Sequence, residues 1–379
     1  MRRIAIAAAC VSIFACNARA QWVLQDSHTT ADLRGVHSFS TEVAWASGTN
    51  GTILRTNDGG EHWQTCTTPT GAEHLDFRGI QALDAHTAIV MSSGLGELSR
   101  IYKTTDDCYS WRLIFTNPDR EGFFDAFKLD FGEQNRPFRT GSLWGDPVLG
   151  EFVEFLTYDY GETWTRSRER ATARPGETMF AASNSAYLGG SAEGLIVTGG
   201  PSGSRSRARQ NNFQRDPYVP YRFVGGDIPL AASATGGAFS VATSLRGEAP
   251  ESRDKWIGGV YGLPVTLVAV GGDFQHPERS KGTAAFSVDG GRHWNASTKP
   301  PHGYRSSVVY DDRTKAWIAV GPNGTDISIN DGRTWRALLP DPANHDPVDA
   351  DRGWNAISLP LVVGTHGRIG KLRPSALQQ

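Results

Sequence analysis

Beyond its first 20 residues the chain has no uninterrupted apolar run near the roughly 18 residues that a spanning helix needs, so no such helix is expected there. No window of a dozen residues repeats apolar positions at helical spacing, which excludes a helical bundle or a layered α/β fold. Basic runs are also missing. With a formal net charge of −2, nucleic acid is a poor candidate partner. The ten histidines do not cluster and cysteine occurs only four times, so there is no recognisable zinc spacing, and neither a metal nor another cofactor is expected.

The one apolar stretch, Ile4 to Ala15, follows Arg2 and Arg3 and precedes the small residues "ARA" at 18 to 20. This is the pattern of an export signal over residues 1–20, cut after Ala20. A second route, lipidation of Cys16 through "IFAC" (13 to 16), ranks below it because Phe14 is bulky where a small residue is usual. Cleavage removes three arginines and no acid, moving the net charge from −2 to −5. A soluble protein, periplasmic or extracellular, is expected. Cys10 and Cys16 leave with the signal. The remaining Cys66 and Cys108 either form one disulfide, as an oxidising compartment allows, or stay as two thiols.

Glycine is abundant at 43 residues, and there are 11 tryptophans. Short apolar or alternating runs such as "EVAWASG", "FVEFLTY", "VTLVAVGG" and "KAWIAVG" are each bounded by Gly, Asp, Asn or Pro, as strands are. The chain therefore reads as all-β. Five stretches share one pattern: "RTNDGGEHW" (55 to 63), "KTTDDCYSW" (103 to 111), "LTYDYGETW" (156 to 164), "FSVDGGRHW" (286 to 294) and "ISINDGRTW" (327 to 335). Each holds Ser/Thr, any residue, Asp/Asn, any, Gly/Cys, two further residues and Trp.

The five closing tryptophans are 48, 53, 130 and 41 residues apart, so the long gap must hold an additional unit. That unit lies around residues 180 to 200, its turn degenerated to "SRSRARQNNF" (204 to 213), and the next begins near "GGAFSV" (236 to 241) with an insertion at 246 to 256. A last, incomplete unit at 353 to 372 supplies three strands. Its fourth comes from "QWVLQDS" (21 to 27), where Trp22 takes the place of the missing tryptophan. The count gives a seven-bladed β-propeller of four-stranded antiparallel blades, one domain over 21–379, closed by the N-terminal strand. Six or eight blades are the alternatives. In each turn the acid can accept backbone N–H groups, glycine supplies positive φ and the indole fills the space between blades. Asp58, Asp106, Asp159, Asp289 and Asn330 are accordingly structural.

These repeats, with "GDPV" (145 to 148), "VGGDF" (270 to 274) and "GYRSS" (303 to 307), resemble the Asp-box, or BNR, propellers. Within that group the chain is similar to the photosystem II stability/assembly factor-like proteins, in particular a secreted bacterial branch. The resemblance implies a rigid platform for another macromolecule. It is specific for fold and weak for function, since sialidases, sortilin-like receptors and xyloglucanases carry the same box.

Aligning the starts of the innermost strands brings Arg34, Arg78, Asp125, Ala181, Ser240, Arg305 and Asn355 to one end of the central channel. Arg34, Arg78 and Arg305, with Asp125 and Glu177, form the candidate binding mouth. Guanidinium groups bind planar oxyanions, but these arginines can equally pair with Asp125, Asp146, Glu177 or Asp273 and hold the ring together. The function expected is a non-catalytic scaffold, monomeric by default, for an unknown protein or glycan partner. The alternative is a secreted glycoside hydrolase, sialidase-like or polysaccharide-active, using the same mouth; in the sialidase case Tyr304, Glu177 and Asp125 would be its reacting groups. It lacks the Arg-Ile-Pro signature expected early in a sialidase. "GGPSGSRSRAR" (199 to 209) has no lysine for a phosphate loop, and its Arg205, Arg207 and Arg209 read as an exposed basic patch or an ordinary solvated loop.

Overall fold

A computed structural model describes residues 22–130, 140–189, 194–211, 221–244, 266–373 and 377. The described residues form seven antiparallel sheets, two of which carry an extra two-residue strand. Six blades follow the chain in order. Their innermost strands are Leu33–Ser38, Phe77–Ala82, Phe124–Leu129, Tyr187–Leu188, Gly236–Ser244 and Ser307–Asp311. Blade 7 takes Trp354–Ser358, Leu361–Gly364 and Ile369–Leu372 from the C-terminal part of the chain and Trp22–Gln25 from the N-terminal part. Trp22 faces Leu372 and Val23 faces Lys371. In blade 1, Gln64 faces Arg55 and the box tryptophan Trp63 comes just before Gln64. Trp22 therefore stands where a box tryptophan would, as the repeat count required. No helix among the described residues is long and apolar enough to cross a membrane.

Each blade is apolar on both faces, and the core lies between blades. The tryptophans make this joint. Trp63 of blade 1 packs with Ala356, Leu361 and Val363 of blade 7, and Trp335 of blade 6 packs with Val268 and Val270 of blade 5. Trp164 of blade 3 does the same against Ile89, Met91 and Ile101 of blade 2. Their indole N–H groups find acceptors nearby: Trp63 donates to Gln25 Oε1, Trp335 to Ser297 Oγ and Trp22 to Thr325 Oγ1. Nearer the axis, single side chains staple adjacent inner strands. Gln81 bonds both the amide and the carbonyl of Leu129, Asn184 accepts the Phe127 amide, Ser240 accepts the Val308 amide, and Ser38 exchanges two bonds with Ser358. His37 Nδ1 accepts the Ala82 amide, and burial, with Lys128 nearby, pushes its imidazole down to about 4.

All five boxes fold identically. The first residue donates its hydroxyl to Oδ1 of the third and accepts the amide of the fifth, while the seventh residue's amide closes back on that Oδ1. In box one these are Thr56, Asp58, Gly60 and His62. Asp106, Asp159, Asp289 and Asn330 repeat the network. The His62 amide and ring hold the Asp58 carboxyl well below the usual carboxylate range. Positions four and five both take positive φ, which glycine accepts without steric cost. Box two instead places Asp107 (φ 60°) and Cys108 (φ 67°) there. Cys108 is bonded to Cys66 on blade 1, with Cα atoms 5.3 Å apart, so the disulfide reading is the one observed.

Blade 4 departs from expectation. Residues 204–211 are its third strand and not a turn, because small Ser204, Ser206 and Ala208 alternate with the arginines at period two. Ser206 faces blade 5, accepting from Trp294 and donating to Gly291 O, and the arginines face blade 3. The insertion at 246 to 256 and residues 212 and 213 lie outside the described residues.

Two stability measurements follow. Trp335→Ala is expected to cost about 3–5 kcal/mol in urea unfolding, as large buried truncations do, while Asn330→Asp in the same box stays within about 0.5 kcal/mol. Breaking the disulfide as Cys66→Ser/Cys108→Ser is expected to cost about 4 kcal/mol for a loop of this size. Because the position is left-handed, Cys66→Ser/Cys108→Gly should be about 1 kcal/mol more stable than the double serine variant. Equal midpoints for the two would reject backbone strain at Cys108.

Candidate functional site at the channel mouth

The innermost strands of blades 1, 2, 3, 5 and 7 share an irregularity, at the second residue of the strand in four of them and at the fourth in blade 5: the register slips between Leu33 and Gly35, Phe77 and Gly79, Phe124 and Ala126, Ala238 and Ser240, and Trp354 and Ala356. A bulge inserts an unpaired residue and re-aims its side chain. The residues so placed are Arg34, Arg78, Asp125, Phe239 and Asn355. Local sequence explains two of them. "DLRG" and "DFRG" each follow the bulged arginine with a glycine, and a Cβ at Gly79 would come within 3.1 Å of Asn184 and Phe127 side-chain atoms.

Arg34 and Arg78 converge on one carboxylate. Arg78 Nε donates to Asp76 Oδ2 at 2.8 Å and Arg78 Nη1 reaches the Ala181 carbonyl at 3.3 Å. Arg34 Nε is 3.9 Å from Asp76 Oδ1 and makes no hydrogen bond. Both arginine side chains are 29% exposed. Asp125 lies in the wall beside them, 1% exposed, with Oδ2 unpartnered. Burial, reinforced by Asp146 and opposed by Arg78, pushes its carboxyl well above the usual carboxylate range. Arg34 and Arg78 thus face the same carboxylate, that of Asp76.

The opposite side of the mouth is aromatic. Phe239 stacks on Phe180 with ring centroids 3.9 Å apart, meets Tyr304 edge-on at 4.8 Å and lies 6.2 Å from Phe274, whose ring is half exposed. Burial raises the Tyr304 phenol, with Arg34 and Arg78 acting weakly against it. That places the phenol within electrostatic reach of both arginines.

Two expected members are elsewhere. Arg305 is fully buried: its Nε donates to Asp326 Oδ2 at 2.9 Å and its Nη1 to Asn323 Oδ1 and the Tyr304 carbonyl. The reason is a one-residue offset. A Cβ on Gly321 would meet the Tyr304 carbonyl and Arg305 Cα as one on Gly48 meets Asp32 and Leu33, so Arg305 sits at the level of Leu33 and not of Arg34. A slip of one turns a strand residue to the other face. The same offset replaces Ser240 by Phe239. Glu177 is held by Arg205, through Nε at 2.9 Å and Nη2, and by Thr198 and the Arg174 amide. Burial pushes its carboxyl up, yet these donors keep it below its ordinary range. Ala181 contributes a carbonyl but precedes the blade 4 inner strand, and Asn355 bonds the Leu33 carbonyl.

Asp76, Phe180 and Phe274 were not singled out in the sequence. For Asp76 a signal existed, since "DLRG" and "DFRG" repeat an acid two positions before the arginine. No group of residues among those described is arranged to hold a metal.

No protein-family model and no curated protein matches the chain. Solved structures do. A structure described as YCF48 bound to D1 peptide matches with a TM-score of 0.54 at 15% identity, over 93% of this chain and 96% of that one. YCF48 from Cyanidioschyzon merolae matches with the same TM-score at 17% identity, over 94% and 100%. At this identity the likeness is one of fold, and it agrees with the assembly-factor-like propeller that the repeats resemble.

Because its folded pKa lies above its unfolded one, Asp125 supports the fold fully below about pH 4, and that support is lost as pH rises through the folded pKa. Asp125→Asn is expected to flatten this part of the decline in urea-unfolding stability above pH 4. An unchanged slope would mean the group is ionised in the fold.

Proposed function

We propose that this chain is an exported, non-catalytic scaffold that holds a segment of another protein at the channel mouth. The observation that carries the reading is the sharing of Asp76 by Arg34 and Arg78 beside the Phe180, Phe239, Phe274 and Tyr304 cluster. The surplus guanidinium suits a carboxylate or peptide carbonyls, and the half-exposed ring suits an apolar side chain next to them. A peptide chain offers both at short spacing. A protein ligand also accords with the solved neighbour described as bound to a D1 peptide.

A ring of stapled blades keeps these groups in place before a partner arrives, which limits the entropy cost of binding. Sialidase-type chemistry finds less support, because activating a tyrosine needs a carboxylate beside it and the groups acting on Tyr304 are two arginines. The segment at residues 1–20 supports export.

The test is capture of partners from periplasmic and membrane extracts on immobilised protein, with Arg78→Glu in parallel. A protein retained by the parent and lost by at least about tenfold on charge reversal is expected. Equal capture by both would remove the mouth from the interface. Turnover of sialosides or plant polysaccharides that disappears in Arg34→Ala would overturn the scaffold reading.

A further inference from the structure

The arginine strand of blade 4 builds a second, separate site on the outer rim. Arg205 and Arg209 are spent on buried acids, Glu177 for the first and Glu154 with Glu169 for the second. Among the described residues Arg207 has no acid partner. Its Nη1 donates to the Thr172 carbonyl at 2.6 Å, its Nε is buried without a hydrogen bond, and its guanidinium lies 5.6 Å from the centre of the Phe223 ring. Around it is a concave pocket of about 420 Å³ lined by Arg174, Arg205, Arg207, Phe223 and Asp227 among others.

We infer that this pocket binds a sulfate monoester. Three guanidiniums line it, and among the described residues the acids paired with them are Glu177, on Arg205, and Asp227, on Arg174. The surplus is one positive charge, which one singly charged group neutralises. A sulfate ester carries that charge on three equivalent oxygens arranged as a tripod, so it can accept from forks approaching in different planes, whereas the two oxygens of a carboxylate lie in one plane. A phosphate monoester brings about −1.5 to −2 and overshoots the surplus. The Arg174–Asp227 pair is the adjustable wall: both side chains are substantially exposed, at 40% and 70%, so Arg174 can turn inward at little cost. The ester's organic group then leaves over Phe223 and the exposed edge. No bond is made or broken.

Isothermal titration of the full-length purified chain at pH 7 and fixed ionic strength tests this, with phenyl sulfate, inorganic sulfate, inorganic phosphate and acetate as probes. Saturable one-to-one binding of phenyl sulfate, tighter than the other three, is expected. Arg207→Gln should weaken it by about tenfold or more, as loss of a charge-assisted donor does, and Arg174→Gln by several-fold. Thermal melting without any probe establishes that both variants are folded. Absence of saturation, tighter binding of either dianion, or an unaltered affinity in folded Arg207→Gln would each overturn the assignment.

Discussion

The pairing of Trp22–Gln25 with Ile369–Leu372 is the contact on which the other six blades depend. A four-stranded sheet that is apolar on both faces cannot bury either face alone, so every blade relies on two neighbours and the first relies on the last. Closing the ring with a strand from the opposite end of the chain removes the two faces that an open stack would leave wet. Bonds gather at this seam. Trp63 reaches Gln25, Ser27 reaches Gly367, Asp32 accepts the His366 amide, and Ser38 and Ser358 bond each other. The indole of Trp22 extends the joint to blade 6.

With closure secured at the rim and staples at the axis, the channel mouth can carry polar groups that are not needed to close the ring. The bulge in the inner strands of blades 1, 2, 3, 5 and 7 is the device that separates the two tasks. The residue before it, Leu33, Phe77, Phe124, Ala238 or Trp354, is buried between blades. The bulged residue itself is released from the ladder. Arg34 and Arg78 occupy two such positions and Phe239 another, which divides the mouth into a cationic and an aromatic half. In blade 6 the arginine stands one residue earlier, at the level of Leu33, and is absorbed into an ion pair with Asp326.

Blade 4 shows what happens when the box is absent. Its third strand has no box turn, and the long arginine side chains facing blade 3 replace apolar packing with buried ion pairs. Such pairs are costly to desolvate and demand full satisfaction. Two of the three arginines achieve it. The third does so only in part, and a concavity with a cationic surplus remains on the outer surface.

Much of this was legible in the sequence, for a physical reason. The box specifies its own turn: hydroxyl, carboxylate, glycine and indole lie within nine residues, so the hairpins, the role of Asp58 and its counterparts, and the count of seven blades follow from local chemistry. Even the closing strand was legible, because Trp22 fills a gap in a repeat. What the sequence could not determine is which way a side chain faces where local signals are weak. Arg305 in "YRSS" and Arg34 in "LRGV" align as the same position of the repeat, yet a one-residue difference in register buries one and presents the other. Glu177 and Arg205 are 28 positions apart and meet only because the segment leading into blade 4 folds back along that blade, where Thr178 pairs with Gly199. Local bonding determined the elements; the register of the inner strands and the contacts between distant segments decided which charges are paired and which are not.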